Sequence, residues 1–526
     1  MTETTVVRTP RIASLSPSVT WGFIAAGLIA VGSFGGGATR YRGGIVSALG
    51  LDWIAFGHGF AIFEIMIWLG LALLVFSWLI VGRQAVFSTT TTTTSVAPAV
   101  TSAATDGAAL RTLNATLLAW LIPLSLSGPL FSRDVYSSLM QGAMMRDGFD
   151  PYTEGAAVNP GPMLMEVSAD WRNTTTPYGP LHLGIGEVIT RIVGDNIALG
   201  VAFYRILCLA GFLAIWWSIP RIARALGGSP VLALWLGVLN PLVVLHLIAG
   251  LHNEALMVGL VSLALVAALE LPRIRGGIVA AVVLGIAVSL KATAVIALPF
   301  VVWIVLTRKN HLGPAKDLLR RAPELLGVGV ALVTVILATL AAITWITGST
   351  WGWISEISGN TKVINPLALP SAVAGVIAAV MAWINDALTF NLVVYYTRRV
   401  SAVLMLVGLV RTWLLFRHHP RRTIAGVVVA YIVACVLNAV ALPWYYASLL
   451  TPMGSIRPPR WAIQGTVLFT LILSLSFAGG GNHRFYEVPW MLAITLAAWF
   501  ATGWVVNGRL SWSYPWRSNT QEPSSR

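Results

Sequence analysis

Residues 322–347 read APELLGVGVALVTVILATLAAITWIT, and beyond Glu324 the stretch reaches Thr347 without a charged side chain. A helix that crosses a bilayer needs about 20 consecutive, mostly apolar residues, because lipid offers nothing to hydrogen-bond an exposed backbone. This stretch meets that requirement and has many counterparts. Comparable runs lie near 19–37, 56–82, 108–130, 197–220, 229–249, 252–270, 399–417, 422–442, 461–480 and 487–507, and 276–307 holds two runs broken by Lys291. Shorter apolar stretches at 181–193, 366–384 and 444–456 fit half-helices or re-entrant segments. The expectation is an all-α polytopic membrane protein with about 12–15 membrane segments.

Composition agrees. Of 526 residues, 56% are hydrophobic and 10% are charged, whereas a soluble globule carries about 25% charged residues to face water. The 22 Trp suit indole rings at the headgroup boundary. A net charge of +14 raises the question of nucleic acid, but the basic residues form short clusters between apolar runs. These are Arg221 and Arg224; Arg273 and Arg275; Arg308, Lys309, Lys316, Arg320 and Arg321; and Arg417, Arg421 and Arg422. That is the signature of cytoplasmic loops; the partner it implies is the lipid bilayer, and no nucleic acid. With these clusters inside, residues 131–180, 250–254, 348–365, 443–446 and 481–487 fall outside and both termini are cytoplasmic. The assignment requires that 366–396 start and end outside. Cys208 and Cys435 lie in apolar runs and read as core. The first residues, up to about Ser18, lack the pattern of a cleaved signal.

The chain divides into an N-terminal pair of transmembrane helices (1–87), a flexible cytoplasmic linker containing TTTTTTSVAPAV (88–107), a long membrane module (108–507) and a cytoplasmic tail (508–526). Residues 131–180 differ in kind. They hold nine charged residues and many aromatics. A structureless connection of that length is unusual in a compact domain, so a folded external loop with short amphipathic helices is expected.

Acidic residues are few enough to weigh singly. Asp134, in SRDVYSSLMQGAMMRDGFDPY, stands at the mouth of a helix bundle, where a carboxylate suits a general base that takes a proton from a hydroxyl; it equally suits an N-cap for the next helix. Asp147 and Asp150 flank Gly148 in DGFDPY and read as turn residues. In GLHNEALM, His252, Asn253 and Glu254 open a helix. A Glu there is costly unless paired or functional, and two ligands alone do not make a metal site. Lys291 interrupts about 30 apolar residues, and an ammonium in that band either snorkels to the interface or meets an anion such as a lipid phosphate. Trp171, Pro177, Tyr178, Gly179 and Pro180 make a rigid aromatic turn that either stacks on a sugar face or closes the loop. Trp444, Tyr445 and Tyr446 fit an interfacial aromatic belt.

The ordered series SRDVYSSLMQGAMMRDGFDPY, TTTPYGPLHL, GLHNEALM, SLKATAVIALP and LPWYYASLLTP resembles the polyprenol-phosphate-mannose-dependent α-1,6-mannopyranosyltransferases of actinobacteria, multi-spanning glycosyltransferases of the GT-C class. The resemblance runs from about 108 to 507, and the N-terminal pair looks like that family's extension. It implies a polyprenyl-phosphate-mannose donor and a glycolipid acceptor, a phosphatidylinositol mannoside or the mannan of lipomannan and lipoarabinomannan. The site would lie on the extracytoplasmic side of the cytoplasmic membrane. Asp134 matches the family's acidic base, and Arg133, Tyr136, Trp171, Tyr178, His252, Asn253, Glu254, Lys291, Trp444 and Tyr445 are the substrate-binding candidates. Arg133 stands where relatives with diphosphate donors often show a second acid, which fits a metal-independent enzyme with no cofactor. The rivals are a GT-C transferase for another carrier-linked sugar, such as arabinofuranose, and a transporter or flippase for lipid-linked sugars.

Overall fold

The computed structural model describes residues 16–38, 45–87, 98–307, 320–359, 364, 366–384 and 389–508. Residues 88–97 of the expected linker, Arg308, Lys309 and Lys316 of one basic cluster, and the tail beyond 508 lie outside the described residues.

Among the described residues the architecture is helical, with one isolated bridge between Phe477 and His483. Nine helices among the described residues are long and apolar enough to cross a membrane, from Pro17–Gly36 to Val488–Asn507, and a bent pair raises the number to ten. That is fewer than the 12–15 segments expected, and the reason is geometric. The run at 229–249 is not straight: Pro230–Val238 and Pro241–Ala249 meet at 52°. Asn240 causes the break, because its side chain accepts from the backbone N–H groups of Leu242 and Val243 and so caps a new helix that Pro241 begins. Other apolar runs fold as shorter helices: Glu254–Glu270 with 17 residues and Arg460–Ser474 with 15, then Ala292–Thr307 and Leu369–Met381. Where the sequence reads 181–193 as a half-helix, an amphipathic helix spans Pro180–Val193.

Lipid-facing and buried helices separate clearly. Only 11% of the apolar window of Phe390–Leu415 is buried, and 17% of that of Ala322–Ile346. By contrast, the bent pair is enclosed along almost its whole length. The N-terminal pair is fastened to this buried centre by a reciprocal indole contact. Trp78 donates to the Trp235 carbonyl at 3.1 Å, Trp235 donates to the Trp78 carbonyl at 3.0 Å, and the rings stack at 4.8 Å. Each indole N–H, unable to reach water there, is satisfied by the other residue's backbone.

The basic clusters collect at one end of the bundle. Arg421 donates to the Leu226 carbonyl at 2.9 Å, Arg273 to the Val305 carbonyl at 2.8 Å, and Arg321 to the Leu306 carbonyl at 3.2 Å, so cations sit on helix C-termini as the macrodipole favours. At the other end, residues 131–180 fold as expected into short helices: Asp134–Arg146, Ala156–Val158, Pro162–Glu166 and Ala169–Trp171. Asp134–Arg146 lies against Pro180–Val193 through glycine. A Cβ on Gly142 would come within 2.1 Å of the Gly186 carbonyl carbon, so the two backbones touch where neither helix has a side chain.

Candidate active site

Asp134 opens its helix but does not cap it. Arg133 occupies the N-cap position without a side-chain bond, and the Ser132 hydroxyl accepts from the Asp134 backbone N–H at 2.9 Å. The approach is fixed from behind. Leu130 N–H donates to Ala249, Phe131 N–H donates to Gly479, and Phe131 holds a left-handed φ of 65°, a conformation that costs a residue with a Cβ about 1–2 kcal/mol. Released from capping, the Asp134 carboxylate reaches His252, with Oδ2 3.5 Å from Nδ1, and 24% of its side chain remains exposed. Burial works to raise the Asp134 pKa. The His252 hydrogen bond and charge, the Ser132 bond and the Lys291 charge outweigh it and hold the group below the ordinary aspartate range.

His252 follows Leu251, the second strained residue of the site, with φ 57°. Its ring stacks on Trp444 at 3.6 Å and 15°, and its Nε2 is buried without a hydrogen-bond partner among the described residues. The next residue, Asn253, donates from its amide toward His182 Nδ1 at 3.4 Å, while His182 Nε2 lies 3.2 Å from the Gln141 side-chain oxygen. Burial, helped by the Lys291 charge and opposed by Asp134, pushes the His182 pKa down to about 3. The ring is therefore neutral, and an acceptor at Nδ1 makes Nε2 the protonated nitrogen. His182 and Gln141 escaped the sequence reading, although PYGPLHL contained the signal: a histidine next to the aromatic turn.

Glu254 and Lys291 form a buried ion pair. Their pairing resolves two expectations together. Glu254 has the partner it needs, and Lys291 does not snorkel, since it is 7% exposed. The ammonium also lies 4.2 Å from the centroid of the Tyr445 ring and 5.3 Å from that of Tyr178, where the ring faces attract a cation. Tyr178 arrives there because Gly179 docks on the end of helix Arg273–Leu290. The Gly179 N–H donates to Leu290 at 3.2 Å, and a Cβ on Gly179 would stand 2.3 Å from the Ser289 carbonyl oxygen.

Other candidates lie apart from this cluster. Arg133 is paired with Glu166 at 3.0 Å and lies over the buried Tyr136 ring at 5.9 Å, so its charge ties the loop together. Asp147 pairs with Arg146 and accepts from Asn159, and Asp150 accepts from the Tyr152 N–H, contacts of the kind turn residues make. Trp171 is half-buried in the loop. His252 and Glu254 turn to different partners, and among the described residues no group of three or more His, Cys, Asp or Glu is placed to hold a metal.

One residue that sequence reasoning missed underpins the whole site. Arg205, buried within helix Ile197–Ala225, donates to the carbonyls of Leu124 and Ile248 at 3.1 Å each and to that of Ser127. It thereby secures the chain ends that lead to Asp134 on one side and His252 on the other. The signal was a lone arginine inside an apolar run, which is costly in a membrane helix unless it has work to do.

The arrangement sets a partly reachable carboxylate beside an imidazole, with a buried ammonium nearby. A carboxylate so placed has the chemistry to accept a proton from a hydroxyl, and an ammonium has the charge to attract an anion. Comparison with known proteins agrees with group transfer. A family described as alpha-(1->6)-mannopyranosyltransferase, N-terminal domain, matches residues 19–307, so the match takes in the N-terminal helix pair, and a family described as MptB C-terminal domain matches residues 370–507. The chain is 49% identical over 483 residues to alpha-(1->6)-mannopyranosyltransferase A of Corynebacterium glutamicum, covering 90% of this chain and 95% of that one. It is 34% identical over 487 residues to alpha-(1->6)-mannopyranosyltransferase A of Mycobacterium tuberculosis, covering 91% and 88%. Alpha-(1->6)-mannopyranosyltransferase B of Corynebacterium glutamicum is 30% identical over 417 residues, covering 76% and 66%. With similarity of this extent over a bundle of membrane helices, the chain belongs to the alpha-(1->6)-mannopyranosyltransferase family of actinobacteria and is a multi-pass membrane hexosyltransferase.

Proposed function

We propose that this protein transfers mannose from a polyprenyl-phosphate-mannose donor to the mannan of a glycolipid acceptor, forming α-1,6 linkages with inversion on the extracytoplasmic face of the membrane. The observation that carries the reading is Asp134, ionised, partly reachable and aligned by His252 in the same cluster as the Lys291 ammonium. Asp134 takes the proton of the acceptor 6-hydroxyl as that oxygen attacks the anomeric carbon. The bond between the anomeric carbon and the phosphate oxygen breaks, and its electron pair leaves with the polyprenyl phosphate. Attack opposite the leaving group turns a β-linked donor into an α product.

Lys291 faces the charge that develops on that phosphate. Glu254 holds the ammonium in place, and the Tyr445 and Tyr178 faces are contacts that an arriving phosphate oxygen replaces. A preplaced charge in a site of low polarity is worth more to the transition state than one in water. The Trp444–His252 stack keeps the imidazole in the plane that serves Asp134.

The test offers purified protein in detergent two donors in turn, polyprenyl-phosphate-mannose and polyprenyl-phosphate-arabinofuranose, with one glycolipid acceptor. Mannose transfer with an α-1,6 linkage in the product is the expected result. Transfer of arabinose without mannose, or no transfer from either carrier, overturns the proposal.

A further inference from the structure

Residues 127–132 connect the helix that ends at Leu124 to the one that begins at Asp134, and all of them are buried. Backbone groups there cannot turn to water, so they need partners inside the protein. Leu130 and Phe131 donate to Ala249 and Gly479, and Arg205 donates to the Ser127 carbonyl. The first helix, Pro17–Gly36, and the residues just after it supply two more partners. The Gly128 N–H donates to the Ser33 hydroxyl at 2.7 Å, and the Pro129 carbonyl accepts from the Ala38 N–H at 3.0 Å.

Ser33 is wholly enclosed, and its hydroxyl proton already goes to the Ala30 carbonyl of its own helix. That bond aims the oxygen and leaves its lone pairs for Gly128, so Ser33 acts as a fixed acceptor. The N-terminal pair also backs the neighbouring support. A Cβ on Gly479, whose carbonyl holds Phe131, would stand 2.5 Å from the Gly36 carbonyl oxygen and 2.5 Å from the Ile67 side chain of helix Gly57–Gly82. A left-handed φ at a residue such as Phe131 persists only where the surroundings over-determine it. Both N-terminal helices contribute to that enclosure.

We propose that the N-terminal pair is part of the catalytic frame, with Ser33 a positioning residue that sets where the Asp134 carboxylate stands. The inference rests on Asp134 being the base of the reaction proposed above, and it gives the pair a role in the chemistry. Ser33 touches no reacting atom. It acts through Gly128 and the short bonded run to Ser132, whose hydroxyl accepts from the Asp134 N–H.

Two measurements on the full-length protein in detergent test it. One is deuterium exchange of peptides spanning 127–134 without substrate; the other is single turnover of polyprenyl-phosphate-mannose with enzyme in excess. The single-turnover rate constant does not depend on how much of the protein is folded, so lost stability alone leaves it unchanged. Ser33→Ala should speed exchange across the segment about tenfold, as stranding a buried N–H does. It should also lower the rate constant at least about tenfold, because small misplacements of a reacting group are costly. Ser33→Thr and Ser33→Val share one shape and only Thr keeps the oxygen, so Thr should transfer faster and exchange more slowly than Val, each by about tenfold. Ile29→Val trims a buried side chain about one turn earlier in the same helix; it should lower thermal stability and leave both readings at the wild-type value. Wild-type exchange or a wild-type rate constant in Ser33→Ala, equal readings for the Thr and Val variants, or a slowed rate constant in Ile29→Val defeats the positioning role. Exchange needs no donor, so a wild-type protein that transfers no mannose would sink the function proposed above while the clamp on Gly128 is still judged.

Discussion

The Glu254–Lys291 pair offers the sharpest test of the site's architecture. Glu254 is 1% exposed and Lys291 7%, and the second carboxylate oxygen of Glu254 is buried without a hydrogen-bond partner among the described residues. Lys291→Met removes the cation and fills a similar volume, leaving an anion with nowhere to go. Breaking a buried pair in this way costs about 3–5 kcal/mol, whereas replacing both members with neutral groups of like size is often nearly neutral. Glu254→Gln should therefore be as damaging as Lys291→Met, because it strands the ammonium between two tyrosine faces. The double variant Glu254→Gln with Lys291→Met should recover most of the loss, with a coupling energy of at least about 2 kcal/mol. Equilibrium unfolding in one fixed detergent mixture, followed by tryptophan emission, measures all four proteins. Single variants that lose less than about 1 kcal/mol, or a double variant that loses the sum of both, would refute a buried, tightly coupled pair. Transfer activity should not return in the double variant even as stability does, since the charge facing the leaving phosphate is gone.

Three further outcomes follow from the geometry. Asp134→Asn should lower turnover by about 10²–10⁴-fold while the protein still inserts and purifies normally, as measured with the mannose donor; near-normal turnover would remove Asp134 from the mechanism. The base must be ionised and its pKa is held down, so the acid limb of kcat/KM should lie below the ordinary aspartate value of about 3.9; in His252→Asn the hydrogen bond and charge that oppose burial are lost, and the limb should move to higher pH. Gly142→Ala should push helix Asp134–Arg146 off Pro180–Val193, costing about 1–3 kcal/mol of stability and lowering kcat more than it changes donor KM, whereas Gly148→Asn, at a positive φ with open space around it, should be mild in both assays.

Much of the fold was legible because membrane solvent leaves a coarse imprint on sequence. Runs of apolar residues located most helices to within a few positions, and Lys291 does separate Arg273–Leu290 from the following Ala292–Thr307. The break at Asn240 was written in an Asn-Pro pair but was outweighed by the unbroken apolarity around it. The site was legible as a set of candidates and not as a set of contacts. Asp134, Tyr178, His252, Asn253, Glu254, Lys291, Trp444 and Tyr445 do converge. Yet that Lys291 meets Glu254, 37 residues away, is a product of how two helix ends are packed, which no local pattern encodes. Arg133 shows the same limit in reverse: its neighbour in sequence is the proposed base, but its partner in space is Glu166.

The carbonyl grip of Arg205 has a further consequence. Its three acceptors are peptide oxygens of Leu124, Ser127 and Ile248, which have no proton to gain in mild acid and are shielded from dissolved ions by the helices around them. The scaffold that aims Asp134 therefore does not share the chemistry by which that carboxylate responds to acidity. A brief drop to a pH below the ordinary aspartate value of about 3.9 should silence the enzyme by protonating its base without loosening this grip, and neutralisation should restore turnover with no lag for refolding.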